Sequence, residues 1–118
     1  MSERAREPED LARLFVERAN SGDVEGLVAL YEPDAVLAVA GGGQVQGSAH
    51  IREFYASLLA EGRQFTPGTV RPALRKGNLA LTSTVLTEGN ATAEVARRQP
   101  DGSWRWLIDQ PRVVPPGP

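Results

Sequence analysis

The stretch that decides the fold runs from Asn20 to Tyr55 and contains GDVEGLVALY at 22–31, PDA at 33–35 and GSAHIREFY at 47–55. Asp23 is placed to cap a short helix, because apolar residues follow it at helical spacing as far as Tyr31. Pro33 and Asp34 then end that helix and lead into the apolar run 35–40. This order predicts a capped helix that feeds a strand.

The same stretch goes on into a hairpin and another helix. Glycines at 41–43 break the strand, and a short return strand begins at Val45. Ser48 is placed to cap a helix with one apolar side, formed by Ile51, Phe54, Tyr55, Leu58 and Leu59. Upstream, an apolar stripe predicts a first helix from about Pro8 to Ala19. The N-terminal half therefore holds three helices and an early hairpin.

The C-terminal half shows strand patterns instead. Short segments rich in Val, Thr, Leu and Trp are separated by turn residues and lie at 69–76, 79–87, 92–99 and 104–110. Their spacing predicts an antiparallel meander. Helices first and strands last indicate an α+β domain, in which three helices cover one face of a curved antiparallel sheet.

The turn QPDG at 99–102 fixes a strand register. Pro and Asp suit a type I turn and Gly suits the left-handed position after it, which gives a hairpin with a three-residue loop. If Gln99 pairs with Ser103, Glu94 faces Ile108 on the side that also carries Trp104 and Trp106. Asp109 then falls on the opposite, outer side of the sheet. This register predicts a lone carboxyl, Glu94, among apolar side chains.

Composition limits the function. The 118 residues contain no cysteine and one histidine, His50, which excludes disulfides, thiol nucleophiles and multi-histidine metal sites. We expect no metal and no cofactor. The formal net charge of −2 gives no general attraction to nucleic acid or to a membrane surface, so neither is an expected partner. We expect a single domain over residues 1–114, a loose tail at 115–118 and, without an apolar leader at the N-terminus, a cytoplasmic location.

Nearly the whole chain resembles the nuclear-transport-factor-two-like superfamily, and within it the SnoaL-like and ketosteroid-isomerase-like proteins. The resemblance is strongest at 20–35 and 47–58, and the ending DGSWRWLID at 101–109 is similar to a bacterial subgroup of unassigned function. It implies a cone-shaped α+β barrel with an apolar pocket between the concave face of the sheet and the helices. It also implies a homodimer through the outer face of the sheet.

The catalytic groups of ketosteroid isomerases carry over only in part. In the positions that the resemblance assigns, the tyrosine of the first helix is replaced by Phe15 and the aspartate base by Val39. The protonated acid becomes Glu94, which keeps a carboxyl. The steroid-isomerase mechanism in its usual form is therefore not expected. The residue set of the superfamily's epoxide hydrolases has no match on the predicted inner positions.

Glu94 is the leading catalytic candidate, because a carboxyl beside Trp106 and Ile108 should have a raised pKa and could act as a general acid or base. The alternative is a glutamate near the sheet edge that pairs with an arginine. His50 is a second, weaker candidate, since most histidines in a first helical turn only cover the helix start. The predicted ligand-binding residues are Phe15, Tyr31, Val39, Tyr55, Trp106 and Ile108. Core packing is the alternative for the aromatic ones.

Two classes of function remain open. One is a small enzyme, such as an isomerase or cyclase that acts without cofactor on a modest apolar molecule and uses Glu94 as its acid or base. The other is a non-catalytic protein that binds such a molecule or serves as a dimeric interaction module. Because the superfamily contains both, the fold does not choose between them. A second titratable group beside Glu94 would favour the enzyme.

Overall fold

The computed structural model describes residues 3–114; the expected tail at 115–118 lies outside them. The helices are α1 (Asp10–Asn20), α2 (Val24–Val28) and α3 (Ser48–Ala60). The strands are β1 (Tyr31–Val39), β2 (Gly43–Gln46), β3 (Thr69–Val70), β4 (Leu74–Lys76), β5 (Leu79–Thr82), β6 (Thr84–Val85), β7 (Ala93–Arg98) and β8 (Trp104–Gln110). Three helices and a sheet confirm the predicted α+β class.

The helix starts show which capping predictions hold. The Asp23 carboxylate accepts a hydrogen bond from the Gly26 N–H at 2.9 Å, so the predicted cap of α2 is confirmed. The Ser48 cap is wrong: α3 begins at Ser48 itself, and Gly47, at φ 91°, occupies the capping position without a side-chain bond. The placement of Tyr31 in the second helix is also wrong, because α2 stops at Val28 and Tyr31 begins β1.

Six strands form the main sheet in the order β2-β1-β8-β7-β5-β4, and β3 pairs with β6 in a small separate sheet. The meander β4-β5-β7-β8 is antiparallel, as predicted. The expectation of a wholly antiparallel sheet is corrected by β1, which runs parallel to β8. The predicted segment 69–76 divides into β3 and β4, and the segment 79–87 divides into β5 and β6. In each case one strand belongs to the main sheet and the other to the small sheet.

The hairpin between β7 and β8 has the predicted loop. The Gln99 N–H donates to the Ser103 carbonyl at 2.7 Å, and Gly102 has the left-handed φ of 86°. The glycine hairpin at 41–43 is confirmed as well, since Val39 pairs with Gly43. Turn chemistry therefore predicts these two connections correctly.

The core lies between the helices and the inner face of the main sheet. Its fully buried side chains come from α1, α2, β1 and α3, and include Leu11, Leu14, Leu27, Leu37 and Ile51. Burial of each such side chain contributes about 1.5–3 kcal/mol. Within residues 3–114, no helix is long and apolar enough to cross a membrane.

Candidate functional site

A β-bulge in β8 sets the geometry of the inner face. Ala96 pairs with Trp106 as predicted, but the next pair is Val95 with Ile108, so Leu107 is an extra residue without a partner in β7. Because side chains alternate along a strand, one extra residue exchanges the two faces for everything that follows. The predicted pairing of Glu94 with Ile108 is therefore wrong: Glu94 pairs with Asp109.

The bulge brings a second carboxyl into the interior. Asp109 was predicted on the outer face, but its side chain points inward and only 6% of the residue is exposed. Thr82, Glu94 and Asp109 are direct cross-strand neighbours on β5, β7 and β8, and all three are buried. Beyond Asp109 the row continues to Leu37 of β1. Two acids thus lie side by side on the face that was expected to carry only Glu94.

Two tyrosines hold the Asp109 carboxyl. The Tyr31 hydroxyl donates to Asp109 Oδ2 at 2.5 Å, and the Tyr55 hydroxyl lies 2.7 Å from the Tyr31 hydroxyl. Since Tyr31 uses its proton on Asp109, Tyr55 is the donor in the second bond. The strand β1 and the helix α3 therefore place their hydroxyls in a hydrogen-bonded chain that ends at the carboxyl.

Glu94 has its own partners. The Thr82 hydroxyl donates to Glu94 Oε1 at 2.6 Å and accepts from the Trp106 indole Nε1 at 3.2 Å. Among the described residues, every buried side-chain nitrogen or oxygen has a hydrogen-bond partner. The two carboxyls therefore belong to a satisfied polar network, which is the condition under which polar groups are retained inside a protein.

Burial controls the acidity of these groups. Desolvation is the main cause that raises the pKa of Asp109 from 3.8 to about 7, the negative charge of Glu94 raises it further, and the Tyr31 hydrogen bond lowers it. Desolvation also raises the pKa of Glu94, although the Thr82 and Thr92 hydroxyls oppose it. The pKa values of both tyrosines are raised, chiefly by burial. At neutral pH the site thus contains a carboxyl that is able to exchange its proton.

Aromatic rings enclose this network. Tyr31 contacts Trp106 with ring centroids 5.4 Å apart, and Phe15 of α1 contacts both Tyr55 at 5.8 Å and Trp106 at 6.4 Å. Phe65, from the segment after α3, packs edge-on against Phe15 at 5.5 Å. The rings beside the carboxyls therefore belong to one connected set that extends from Trp106 through Phe15 to Phe65.

The structure gathers most of the predicted ligand-binding residues on this side of the sheet. Phe15, Tyr31, Val39, Tyr55 and Trp106 all belong to or pack against the buried core. Ile108 does not: it is 50% exposed on the outer face, where the bulge has turned it, so its predicted place on the pocket wall is corrected.

His50 lies elsewhere, exposed in the first turn of α3. Together with Gln44, Val45 and Gln46 it lines a surface depression of about 520 Å³. A second depression, of about 240 Å³, lies on β4, β5 and β7 around Leu79 and Leu81. Neither depression includes Glu94 or Asp109. Within residues 3–114, no three His, Asp or Glu side chains are grouped so that they could hold a metal.

Asp109 is a candidate site residue that sequence reasoning missed. A signal for it is present: Trp106, Leu107 and Ile108 are three consecutive apolar residues in a strand that otherwise alternates. Such a break in alternation is what a bulge produces. Tyr31 was predicted to bind a ligand from a helix; in the structure its hydroxyl reaches Asp109 from a strand.

Solved structures show the same fold. The chain is similar to a ketosteroid isomerase-like protein from Erwinia carotovora atroseptica, with 20% identity over 91% of this chain and 94% of that one and a TM-score of 0.71. A nuclear-transport-factor-two-like protein with a cystatin-like fold from Novosphingobium aromaticivorans matches at 25% identity, over 86% and 75% of the chains, with a TM-score of 0.64. A cystatin-like domain of unknown function from Nostoc punctiforme gives 17% identity, 90% and 75% coverage and a TM-score of 0.71.

These likenesses define the class of protein as an α+β domain with the cystatin-like fold of nuclear-transport-factor-two-like proteins. The family model for the SnoaL-like domain matches residues 12–113, and the chain belongs to this family. None of the curated proteins matches the chain.

Proposed function

We propose that the protein binds a small apolar molecule against the inner face of its sheet and transfers a proton on it, as a cofactor-independent isomerase or cyclase does. The observation that carries this proposal is the buried pair of carboxyls, Glu94 and Asp109, with two tyrosine hydroxyls leading to the second one. Perturbed carboxyls in apolar surroundings often mark acid–base sites.

The pair supplies both halves of a proton transfer. A carboxyl whose pKa is about 7 can give up its proton near neutral pH, and an ionised neighbour can accept one. In an isomerisation, Glu94 would take a proton from one carbon while Asp109 gives its proton to the carbonyl oxygen, which forms an enol. Glu94 would then deliver its proton to a different carbon, and the enol oxygen would return its proton to Asp109. Glu94 and Asp109 would thus do the work of the tyrosine and the aspartate base of ketosteroid isomerases, whose positions are occupied here by Phe15 and Val39.

The test uses a β,γ-unsaturated steroid ketone as probe, because its isomerisation to the conjugated enone is followed by ultraviolet absorbance. We expect wild-type protein to convert it, and Glu94→Gln and Asp109→Asn to lower kcat by about 10²–10⁴-fold. Glu53→Gln, an exposed carboxyl of α3, is the matched control and should keep full activity. His50→Ala should also keep it, because His50 lies away from the carboxyls.

Binding is measured separately, by quenching of tryptophan fluorescence with the same ketone. If wild-type protein binds the probe but does not convert it, the acid–base role is wrong and only the binding part of the proposal stands. If it neither binds nor converts this ketone or a smaller cyclic enone, the inner face does not take apolar carbonyl compounds and the proposal fails.

A specific observation favours a second role, as a homodimeric module. Four exposed or half-buried apolar residues are direct cross-strand neighbours on the outer face: Leu74, Leu81, Val95 and Ile108. Leu74 is 70% exposed and Ile108 50%, which is unusual for large apolar side chains in one continuous row. A second copy of the chain that covers this row would remove it from water.

Light scattering at micromolar concentration tests the dimer. We expect wild-type protein to have the mass of two chains and Ile108→Lys to have the mass of one. The control is Val85→Lys, at 42% exposure in the small β3–β6 sheet, which should leave the dimer intact. A monomeric wild-type protein would remove this role and leave the inner-face proposal unaffected.

A further inference from the structure

The segment after α3 packs on the aromatic residues that surround the buried carboxyls. Residues 63–68 have the sequence RQFTPG and contain neither helix nor strand. Only Phe65 and Gly68 of this loop are partly buried; the other four residues are exposed. The Phe65 ring lies on Phe15, which in turn contacts Tyr55 and Trp106. Phe65 is thus joined through Phe15 to the two aromatic residues that lie beside the polar network.

One side chain anchors this loop. Asn20, the last residue of α1, accepts a hydrogen bond from the Phe65 N–H at 2.7 Å and donates to the Phe65 carbonyl at 2.9 Å. Both bonds are solvent-exposed, so water can replace them at little cost. Among the described residues, these are the hydrogen bonds that tie the middle of the 63–68 loop to the rest of the protein.

The two ends of the loop differ from its middle. Gly62, the residue before the loop, has a φ of 74°, a conformation that glycine adopts without strain. Gly68 ends it in close contact with β6: a Cβ at this position would lie 2.4 Å from the Val85 carbonyl oxygen. The middle can therefore move about a permissive residue at one end and a fixed contact at the other, which is the arrangement of a hinged lid.

We propose that the 63–68 loop is a lid, and that a ligand with an apolar ring binds on Phe15 in the place that the Phe65 ring occupies. The inference rests on the proposed use of the inner face for small apolar molecules, and it adds how such a molecule enters. Opening requires the loss of the two Asn20 bonds and the Phe15–Phe65 contact. The incoming ring restores the aromatic contact, so a ligand with a ring displaces Phe65 more readily than an open chain does.

Calorimetric binding of indole tests the lid. Phe65→Ala leaves a ring-sized apolar space beside Phe15, and such spaces bind small aromatic molecules, so we expect at least tenfold tighter binding than to wild-type protein. Asn20→Ala favours the open lid, and apparent affinity rises with the open fraction; about tenfold tighter binding is expected. Asn20→Asp keeps the acceptor for the Phe65 N–H but loses the donor to the Phe65 carbonyl. Its affinity for indole should therefore lie between those of wild-type protein and Asn20→Ala.

Asn90→Ala is the matched control. Asn90 makes the same pair of bonds as Asn20, to the N–H and the carbonyl of one residue, but the residue is Val114 at the other end of the described chain. Asn90→Ala should bind indole as wild-type protein does. If Asn20→Ala binds indole no more tightly than Asn90→Ala, the lid is refuted.

Hydrogen exchange gives a readout that does not depend on a ligand or on the folding of Phe65→Ala. In wild-type protein, the Phe65 amide should exchange at least tenfold faster than the amides in the middle of α3, because its bond to Asn20 breaks without global unfolding. Asn20→Ala should accelerate exchange of the Phe65 amide further and leave α3 unchanged. Equal protection of the Phe65 amide and of α3 would overturn the proposal. Failure of the ketone assay with success of these tests would remove the catalytic role and keep the lid.

Discussion

The two faces of the main sheet reverse the usual distribution of residues where β5, β7 and β8 meet. On the inner face, the cross-strand row of Thr82, Glu94 and Asp109 is polar and buried. On the outer face, the adjacent row of Leu81, Val95 and Ile108 is apolar and partly exposed. Folding alone would favour the opposite arrangement.

The difference traces to one residue. Leu107 has no partner in β7, and its insertion turns Asp109 inward and Ile108 outward in the same step. A regular strand would have given an inner face with one acid, and it would have placed Leu107 and Asp109 on the outer face in the place of Ile108. Conflicts between local pattern and burial are expected where a protein binds or reacts, so both faces are proposed as sites of function.

The largest effect should come from pH. Between 3.8 and about 7 the unfolded chain has an ionised Asp109 while the folded protein keeps the proton, so the folded state binds more protons and stability falls as pH rises. At 1.36 kcal/mol per pKa unit, the full change is on the order of 4 kcal/mol. Asp109→Asn should remove this loss. Urea unfolding of both proteins at pH 4 and pH 8 measures this loss. The difference between the two proteins removes the contributions of the other titrating groups, which both proteins share.

That comparison has a clear contrary outcome. If wild-type protein and Asp109→Asn lose the same free energy of unfolding between pH 4 and pH 8, Asp109 does not hold its proton in the folded state. The bulge would then fail to bring a carboxyl into the interior.

A second prediction compares one apolar residue from each face. Leu37 is fully buried next to Asp109, so Leu37→Ala should cost about 2–5 kcal/mol of unfolding free energy. Ile108→Ala removes a side chain that is half exposed and should cost less than about 1 kcal/mol. Urea unfolding at a concentration low enough to keep the protein monomeric checks both. Equal costs would mean that Ile108 is buried within the single chain.

The third prediction separates the two tyrosines. Tyr31→Phe leaves Asp109 Oδ2 and the Tyr55 hydroxyl without a partner and should destabilise the fold by about 1–3 kcal/mol. Tyr55→Phe removes only the outer bond of the chain and should cost about 1 kcal/mol or less. Because the Tyr31 bond lowers the pKa of Asp109, Tyr31→Phe should also raise that pKa. A larger cost for Tyr55→Phe would contradict the order of the chain.

The sequence predicts a structural element correctly where the element depends on interactions between residues close together in the chain. The Asp23 cap and the 99–102 turn follow from residues next to each other, and both are confirmed. The parallel pairing of β1 with β8 joins residues far apart in the chain and was not predicted. The helix predicted to include Tyr31 ended early because Tyr31 gains a place in the sheet beside Trp106.

The candidate site shows the same limit. Glu94 was placed inside correctly because the extra residue lies in β8, so that alternation along β7 is uninterrupted from the turn to Glu94. Asp109 was placed outside because the register was extended from the turn without a bulge. The extra residue in β8 moves Asp109 to the other face of the sheet. The break in alternation at Leu107 indicates that some irregularity occurs there, but tertiary packing decides which residue is left unpaired.

The central claim is that the bulge brings Asp109 beside Glu94 as a carboxyl that titrates near neutral pH. Its most direct test is carbon-13 NMR of the side-chain carboxyls through a pH titration of wild-type protein and Glu94→Gln. The account predicts that Asp109 titrates at about 7 in wild-type protein and at a lower pH in Glu94→Gln, where the neighbouring charge is gone. A midpoint near 3.8 in both proteins would contradict it.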